Sequence, residues 1–243
     1  MIDRPPVKVS RKLLLFDIDG TLVDAGGAGL RALREGFHEA FPQYSADEFP
    51  HLELGGATDR GVAADLFVHF GVEDHPEHRE RFFRAYTVRL ERGLATHSLI
   101  GKARLLPGVP DLLARLSDSG DHRLAILTGN LREGARIKLR HFGIDHHFSL
   151  DAGAYGDDHH DRNELGPIAR GRAVAFFGEE FATENIVVIG DTLRDIACAR
   201  AFGAKVLAVA TGAATRNELE KGRPDRLVED FTEIAEVERW LAE

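Results

Sequence analysis

Short apolar runs alternate with stretches of helical periodicity along most of the chain. The runs that predict buried strands are 12–17, 124–127, 186–189 and 206–209, with shorter strands expected at 147–151 and 226–228. The predicted helices between and after them are 109–119, 131–142, 165–177, 192–202, 215–221 and 231–242. Strands that are apolar throughout and separated by helices are typical of a parallel sheet covered on both faces. We therefore expect an α/β fold with a doubly wound, Rossmann-like parallel sheet.

Residues 30–94 interrupt this alternation, because they carry helical patterns and no convincing strand. Apolar residues share a helical face in three groups: Leu30, Leu33, Phe37 and Phe41; Val62, Leu66 and Phe70; Phe82, Phe83, Tyr86 and Leu90. This spacing predicts three or four amphipathic helices in a small bundle. We interpret it as an inserted, all-helical cap domain over residues 25–100, with the α/β core formed by residues 1–24 and 101–243.

Two glycine-containing segments border or interrupt the bundle. Residues 24–29 are either a simple turn or a hinge into the insert. In residues 54–60, Thr58 is either only a helix N-cap or part of a loop that faces a substrate. Both pairs of interpretations stay open at this point.

Composition and charge narrow the class of protein. The chain has 243 residues, 43% of them hydrophobic, and a net charge of −9 with no basic run, which argues against nucleic acid or an anionic membrane as partner. Its one cysteine, Cys198, allows no disulfide within the chain and fits a reducing compartment. Residues 1–12 lack the apolar core of a signal peptide, and no apolar stretch approaches the ~20 residues of a membrane span. We expect a soluble, cytoplasmic protein, with a monomer and a homodimer both open.

Polar residues stand directly after several of the predicted strands. Asp17 ends the first strand and Asp19 lies two residues later, Thr128 follows the second strand, and Asp191 follows the strand at 186–189. Two carboxylates beside a buried strand are costly unless a cation or a reaction requires them. Because ligands bind at the carboxyl ends of parallel strands, these side chains should meet at one edge. The pattern predicts a magnesium-dependent enzyme of phosphoryl transfer with Asp17 and Asp19 as its working pair.

Two helix starts add to this prediction. Residues 128–130 open a helix whose free N–H groups favour a phosphate. Asp191 and Asp195 lie four residues apart on one face of another helix start. Taken alone, Asp191 could be an N-cap and Asp195 a first-turn residue that complements the helix dipole.

The constellation resembles the haloacid dehalogenase-like superfamily. The segment Asp17-Ile-Asp-Gly-Thr-Leu22 is similar to its first motif, Leu127-Thr-Gly129 to its second, and Gly190-Asp-Thr-Leu-Arg-Asp195 to its fourth. The helical insert between the first two motifs matches the branch with a C1 cap that includes phosphoglycolate phosphatases. The third motif departs from the usual Lys-Pro, because Asp161-Arg-Asn-Glu164 stands there. Arg162 is our candidate for its cation and Lys102 the fallback, with an ordinary solvated arginine as the alternative.

The resemblance implies a set of roles. Asp17 would attack phosphorus to give an aspartyl-phosphate, and Asp19 would act as general acid and then as general base. The expected phosphate-binding residues are Gly20, Thr128, Gly129, Asn130 and Arg162. The expected Mg²⁺ ligands are Asp17, Asp19 through its main-chain carbonyl, and Asp191, with Asp195 supporting the site. The substrate would be a small phosphorylated metabolite, such as a phosphoglycolate-like phosphomonoester.

Other functions remain open. A phosphomutase shares the same core chemistry, and a phosphoryl-accepting signalling module or an inactive binding protein would lack turnover. Asp19 argues against a dehalogenase, and the absence of lysine between Lys12 and Lys102 argues against a phosphonatase.

Three further groups are interpreted as structural. The segment 157–161 and the pair His146 and His147 are expected to be solvated and not to bind metal, and Cys198 is expected to be packed inside a helix.

Overall fold

The structure is a computed structural model that describes residues 11–99 and 102–243. Its strands are β1 (Lys12–Phe16), β2 (Val23–Asp24), β3 (Arg104–Leu105), β4 (His122–Ile126), β5 (Ile186–Gly190), β6 (Lys205–Val209) and β7 (Arg226–Val228). Its helices are α1 (Ala28–Ala40), α2 (Asp59–Phe70), α3 (Pro76–Leu99), α4 (Val109–Ser119), α5 (Arg132–His141), α6 (Leu165–Phe177), α7 (Leu193–Ala201), α8 (Arg216–Lys221) and α9 (Ile234–Leu241). Residues 1–11 are polar and include two adjacent prolines, a pattern that predicts a loose tail, and all of them except Arg11 lie outside the described residues.

Five strands form one parallel sheet in the spatial order β4-β1-β5-β6-β7. Strand β1 is therefore an interior strand, flanked by β4 and β5, which come much later in the chain. Leu14 of β1 lies opposite Leu124 of β4 and Val187 of β5. The expected parallel α/β fold is confirmed.

Alternate residues of each strand pack into two separate hydrophobic layers. Leu14 and Phe16 belong to a layer covered by α4, α5 and α9. Leu13 and Leu15 belong to a layer covered by α6, α7 and α8. Since both faces of the strands are buried, continuous apolar runs are the sequence pattern that this sheet requires.

The short strand expected at 147–151 is wrong. Residues 145–147 and 150–152 form 3-10 turns, closed by local hydrogen bonds such as the one from Ala152 N to Ser149 O at 3.0 Å. Only an isolated bridge between Leu127 and Ala154 extends the sheet beside β4 among the described residues. Phe148 in this segment packs against β1 instead. Its ring contacts Phe16 edge to face, with the ring centroids 5.6 Å apart.

Helices α1, α2 and α3 form the helical insert, which has its own hydrophobic cluster. Phe37 lies at its centre, with its ring centroid 4.7 Å from Phe70 and 5.6 Å from Phe82. Leu30 departs from the predicted buried face, because it is 45% exposed. The domain limits at 24/25 and 100/101 stay a prediction. Within the described ranges, no helix is long and apolar enough to cross a membrane.

A small antiparallel ribbon joins the insert to the sheet, and the sequence analysis did not anticipate it. Val23 of β2 lies opposite Leu105 of β3. After β2 the chain turns through Gly26, whose N–H donates to Asp24 Oδ1 at 2.8 Å. Gly26 has φ +61°, and a Cβ there would lie 2.6 Å from the carbonyl oxygen of Lys102. The structure therefore contains a turn within residues 24–29, and motion of this segment as a hinge stays a prediction.

Candidate active site

The polar residues expected to converge do so at the carboxyl edge of the sheet. Asp17 follows β1, and its N–H donates to Ile189 O of β5 at 2.9 Å, which extends the ladder by one residue. Thr128 lies two residues beyond β4, where its N–H bonds to Ala154 O at 3.1 Å. Asp191 directly follows β5. Because β4, β1 and β5 are neighbours, segments separated by more than sixty residues meet here.

Three buried carboxylates form a cluster. Asp17, Asp191 and Asp195 each offer an oxygen within 4.8 Å of the other two. Burial raises the pKa of Asp17 to about 6, and Asp195 and Asp19 add to the rise while Arg162 opposes it. Burial and then the charges of Asp195 and Asp17 raise the pKa of Asp191 to about 8. The cluster is therefore short of positive charge.

Two glycines leave the space that the Asp191 carboxylate occupies. Gly20 has φ +79°, and a Cβ on it would lie 2.3 Å from Asp191 Oδ2. A Cβ on Gly212, after β6, would lie 1.6 Å from the same oxygen. The hydroxyl of Thr21 donates to Asp191 Oδ1 at 2.9 Å. Any side chain at either glycine would displace this carboxylate.

Arg162 is the cation that reaches the cluster. Its Nη2 lies 3.3 Å from Asp17 Oδ1 and also pairs with Asp195 Oδ1. Burial disfavours the charged guanidinium, but Asp195 and Asp17 outweigh burial and raise its pKa. Its Nε has no hydrogen-bond partner within the described part of the chain. Lys102, the fallback, is exposed and does not line the site.

Asp195 is held by both of its oxygens. Oδ1 pairs with Arg162, and Oδ2 accepts from the N–H and the hydroxyl of Thr192 at 3.0 and 2.6 Å. Thr192 is the N-cap of α7 and forms a capping box with Asp195. The N-cap interpretation of Asp191 is therefore wrong, while Asp195 does lie in the first turn of its helix.

Lys138 is a site residue that the sequence analysis missed. It lies on the buried face of α5 at 2% exposure, and its Nζ is 2.5 Å from Asp19 Oδ2. It also donates to Asn130 Oδ1 at 2.6 Å, and Asn130 Nδ2 donates to Asp19 Oδ2 at 2.8 Å. The Asp19 carboxylate is thus fixed by two donors from the second motif and the helix after it. The signal in the sequence was a lysine three residues after Ala135, on the apolar face of a predicted helix.

The second motif has more internal bonds than expected. The Thr128 hydroxyl bonds to Asp17 and also accepts from Asn130 Nδ2 at 2.9 Å. The N–H of Asn130 lies 3.3 Å from the same hydroxyl. The N–H of Leu131 is taken by Asp59 Oδ2 of the helical insert at 2.8 Å. The helix start therefore offers a phosphate fewer free N–H groups than the sequence analysis assumed.

The helical insert closes one side of the site. The N–H of Asp59 donates to Gly129 O at 2.7 Å, and the Thr58 hydroxyl donates to His160 O at 2.7 Å. The same hydroxyl accepts from Gly61 N at 3.1 Å, so Thr58 is also the N-cap of α2. Residues 54–57 line the cavity that contains Asp17 and Asp19, so Thr58 is more than an N-cap, and the prediction that this loop faces a substrate stays a prediction.

The family model for haloacid dehalogenase-like hydrolases matches residues 14–200, more than half of the chain. The chain belongs to the haloacid dehalogenase-like hydrolase family. The expected resemblance is thereby confirmed.

The names of similar proteins indicate different activities. The chain is 30% identical over 219 residues to tyrosine-protein kinase PtkA of Mycobacterium tuberculosis, covering 87% of this chain and 66% of the kinase. It therefore spans just under two thirds of that relative. It is 26% identical over 228 residues to a phosphoglycolate phosphatase of Mesorhizobium japonicum, covering 92% of both chains. The solved structure of a hydrolase from Pseudomonas syringae superimposes with a TM-score of 0.69 at 23% identity, over 96% of this chain and 100% of that chain.

The carboxylate cluster fits the divalent metal ion that haloacid dehalogenase-like enzymes generally need. Its donors are carboxylate oxygens, which Mg²⁺ prefers. Asp191 has no cation in hydrogen-bond contact among the described residues, and its raised pKa reflects that uncompensated charge. Since both oxygens of Asp195 are engaged, Asp17 and Asp191 are the side chains available as ligands, and Asp195 is placed to hold Arg162.

The remaining polar groups lie elsewhere. Asp158 pairs with Arg172 at 2.6 Å, Asp157 accepts from Arg132 N at 3.1 Å, and within residues 11–99 and 102–243 neither belongs to a potential metal cluster. Cys198 is fully buried, and burial raises its pKa to about 11. The packed position expected for Cys198 is confirmed, and the expectation that residues 157–161, His146 and His147 bind no metal stays a prediction.

Proposed function

We propose that this chain is a magnesium-dependent phosphatase that hydrolyses a small phosphomonoester through an aspartyl-phosphate. The observation that carries the proposal is the juxtaposition of two differently placed carboxylates in one cavity. Asp17 is buried beside Arg162 and Thr128, whereas the Asp19 side chain is 43% exposed and faces Lys138. One environment suits a nucleophile held next to a phosphoryl group, and the other suits an acid and base.

The roles follow from the contacts. Asp17 attacks phosphorus while Asp19 protonates the leaving oxygen, and Asp19 then accepts a proton from the water that hydrolyses the aspartyl-phosphate. Arg162 holds Asp17 and lines the same cavity, where its guanidinium would contact a phosphoryl oxygen. Gly20, Thr128, Gly129 and Asn130 line the cavity beside Asp17 and would bind the phosphoryl oxygens.

Asp17, Asp191 and the main-chain carbonyl of Asp19 would hold Mg²⁺. When bound, the ion would supply positive charge that offsets repulsion between the carboxylates and the phosphate dianion. The local shortage of positive charge, seen in the raised pKa of Asp191, supports this assignment.

The test is hydrolysis of p-nitrophenyl phosphate with Mg²⁺ or with EDTA. We expect multiple turnovers only with the metal, and loss of turnover in Asp17→Asn. Asp157→Asn is a matched control, because Asp157 bonds to Arg132 N outside the cluster. Acid-quenched wild-type enzyme should carry phosphate that hydroxylamine releases. Near-normal activity of Asp17→Asn would rule out the nucleophile, and a single phosphorylation without turnover would indicate a phosphoryl-accepting module.

A phosphomutase is the nearest alternative within the same chemistry. It differs only in whether water or a sugar hydroxyl accepts the phosphoryl group. Incubation with hexose phosphates and analysis by phosphorus NMR separates the two: release of inorganic phosphate supports hydrolysis, and a shifted sugar phosphate signal supports the mutase.

A second candidate is phosphoryl transfer from ATP to tyrosine, which the 30% identity to PtkA favours. Incubation with γ-labelled ATP and a tyrosine-containing polymer tests it. Label in the polymer would support a kinase, whereas label found only as inorganic phosphate would support the phosphatase.

A further inference from the structure

The cavity around Asp17 and Asp19 continues past the carboxylates into the helical insert. Its volume is about 470 Å³, within the range of sites that enclose ligands larger than a two-carbon acid. Besides the carboxylates, its lining includes apolar side chains of β2, α1, α2 and the loop before α2. These are Val23, Leu30, Leu33, Leu54 and Val62, with the ring of Tyr86 from α3.

We propose that the preferred substrate carries an uncharged, largely apolar alcohol as its leaving group, and not a carboxylate-bearing one such as glycolate. This inference rests on the proposed phosphatase function and names the substrate class of the same site. The evidence for this substrate class is the apolar surface of the cavity wall and the charge of that wall.

Leu30 is the clearest part of the apolar surface. Its helical position would bury it with Leu33 and Phe37, yet it is 45% exposed, and it lines both this cavity and a neighbouring one that includes Arg31 and Arg34. An apolar leaving group that covered it would remove that surface from water. Each buried methylene contributes about 0.8 kcal/mol, which corresponds to roughly fourfold in affinity.

The charges of the wall disfavour a second anion. Carboxylates of five lining residues face two cations, Lys138 and Arg162, among the described residues of the cavity. Arg162 is engaged by Asp17 and Asp195, and Lys138 by Asp19 and Asn130. With Mg²⁺ and the phosphoryl group in place, no unengaged cation remains there for a substrate carboxylate.

The test compares phosphoglycolate with isobutyl phosphate, in which two methyl groups replace the carboxylate oxygens. We expect kcat/KM for isobutyl phosphate to exceed that for phosphoglycolate at least tenfold. In the series ethyl, butyl and hexyl phosphate, kcat/KM should rise by up to about fourfold per added methylene until the apolar wall is covered.

Leu30→Lys adds a cation to the wall at an exposed position, so the fold should tolerate it. We expect the preference for isobutyl phosphate over phosphoglycolate to fall at least tenfold. Val68→Lys is the matched control, because Val68 is 83% exposed on α2 and does not line the cavity. Its preference should equal that of the wild type.

The outcomes are distinguishable. Wild-type enzyme that turns over phosphoglycolate faster than isobutyl phosphate overturns the inference and leaves the phosphatase function standing. An unchanged preference in Leu30→Lys also counts against it. Absence of turnover with every ester, including p-nitrophenyl phosphate, overturns both.

Discussion

At the scale of single residues, Lys138 fixes the direction of the Asp19 carboxylate. Its ammonium lies 2.5 Å from Asp19 Oδ2, and it is buried on α5. Lys138→Met keeps the length of the side chain and removes its charge and its donors. We expect kcat/KM to fall about tenfold to hundredfold, because proton transfer requires a positioned carboxylate. Steady-state kinetics over a range of pH would measure the loss.

Two comparisons separate this role from simple support of the fold. Lys221→Met removes an exposed lysine at the end of α8 and should leave kcat/KM within about twofold. Lys138→Arg keeps the charge and should recover part of the activity. If Lys138→Met were fully active, Asp19 would not depend on this lysine.

One pair of variants can show whether Arg162 or Lys102 is the cation of the third motif. Arg162 bridges Asp17 and Asp195 through Nη2, while its Nη1 lies 3.4 Å from Gly56 O, and the single nitrogen of a lysine cannot occupy both positions. We expect Arg162→Lys to lower kcat at least a hundredfold and Lys102→Ala to change it less than twofold. Kinetics at saturating Mg²⁺ measure both, and the reverse order of effects would transfer the role to Lys102.

The strand ends made most of the site predictable at this scale. Asp17, Asp191 and Thr128 follow apolar runs, and parallel strands bring such positions to one edge. Lys138 was not predicted, because a lysine within a helix is usually solvated and only its pairing with Asp19 explains its burial. Asp59 was missed for a similar reason: its acceptor role toward Leu131 N depends on how the insert meets the core.

At the scale of elements, the close contact between the insert and the second motif requires glycine. A Cβ on Gly129 would lie 1.8 Å from the carbonyl oxygen of Ala57. Gly129→Ala should therefore push residues 54–57 away from the motif. We expect a loss of about 1–3 kcal/mol in the free energy of unfolding, as for other overpacked sites, together with a lower kcat/KM. Urea unfolding and steady-state kinetics measure the two effects.

Gly171→Ala is the matched control for the same change. It lies inside α6, and a Cβ there meets nothing within 4 Å. This substitution should raise the free energy of unfolding by about 0.5–1 kcal/mol, because alanine favours a helix interior over glycine. Equal effects of the two substitutions would contradict the contact at Gly129.

Elements with a long apolar pattern were predictable, and those without one were not. Helix α4 has the predicted limits of 109–119, since its buried residues recur at helical spacing and Gly120 ends it. The ribbon of β2 and β3 has two residues in each strand, too few for any period to appear. The run at 147–151 looked like a strand because it contains Phe148 and Leu150, but local turn bonds take its backbone groups.

At the scale of the whole molecule, the buried carboxylates link stability to pH. Their folded pKa values, about 6 for Asp17 and about 8 for Asp191, lie above the ordinary value of 3.8. Between these limits the folded state binds more protons than the unfolded state, so metal-free protein loses stability as pH rises. Burial also raises the pKa of Asp59 to about 6, so Asp17 and Asp59 still titrate near pH 6, while most of the change between pH 7 and 8 comes from Asp191.

Thermal melting in EDTA and in Mg²⁺ at pH 6, 7 and 8 tests this linkage. Without metal, the melting temperature of the wild type should fall relative to Asp191→Asn by roughly 5 °C across the interval, because each unit of pH costs up to about 1.4 kcal/mol. The ordinary titration of histidines is common to both proteins and cancels in the difference. Mg²⁺ binds the ionised carboxylates, so its stabilising effect should grow with pH in the wild type and be small in Asp191→Asn. Parallel melting curves for the two proteins, with equal Mg²⁺ shifts at every pH, would mean that Asp191 neither carries the uncompensated charge nor binds the metal.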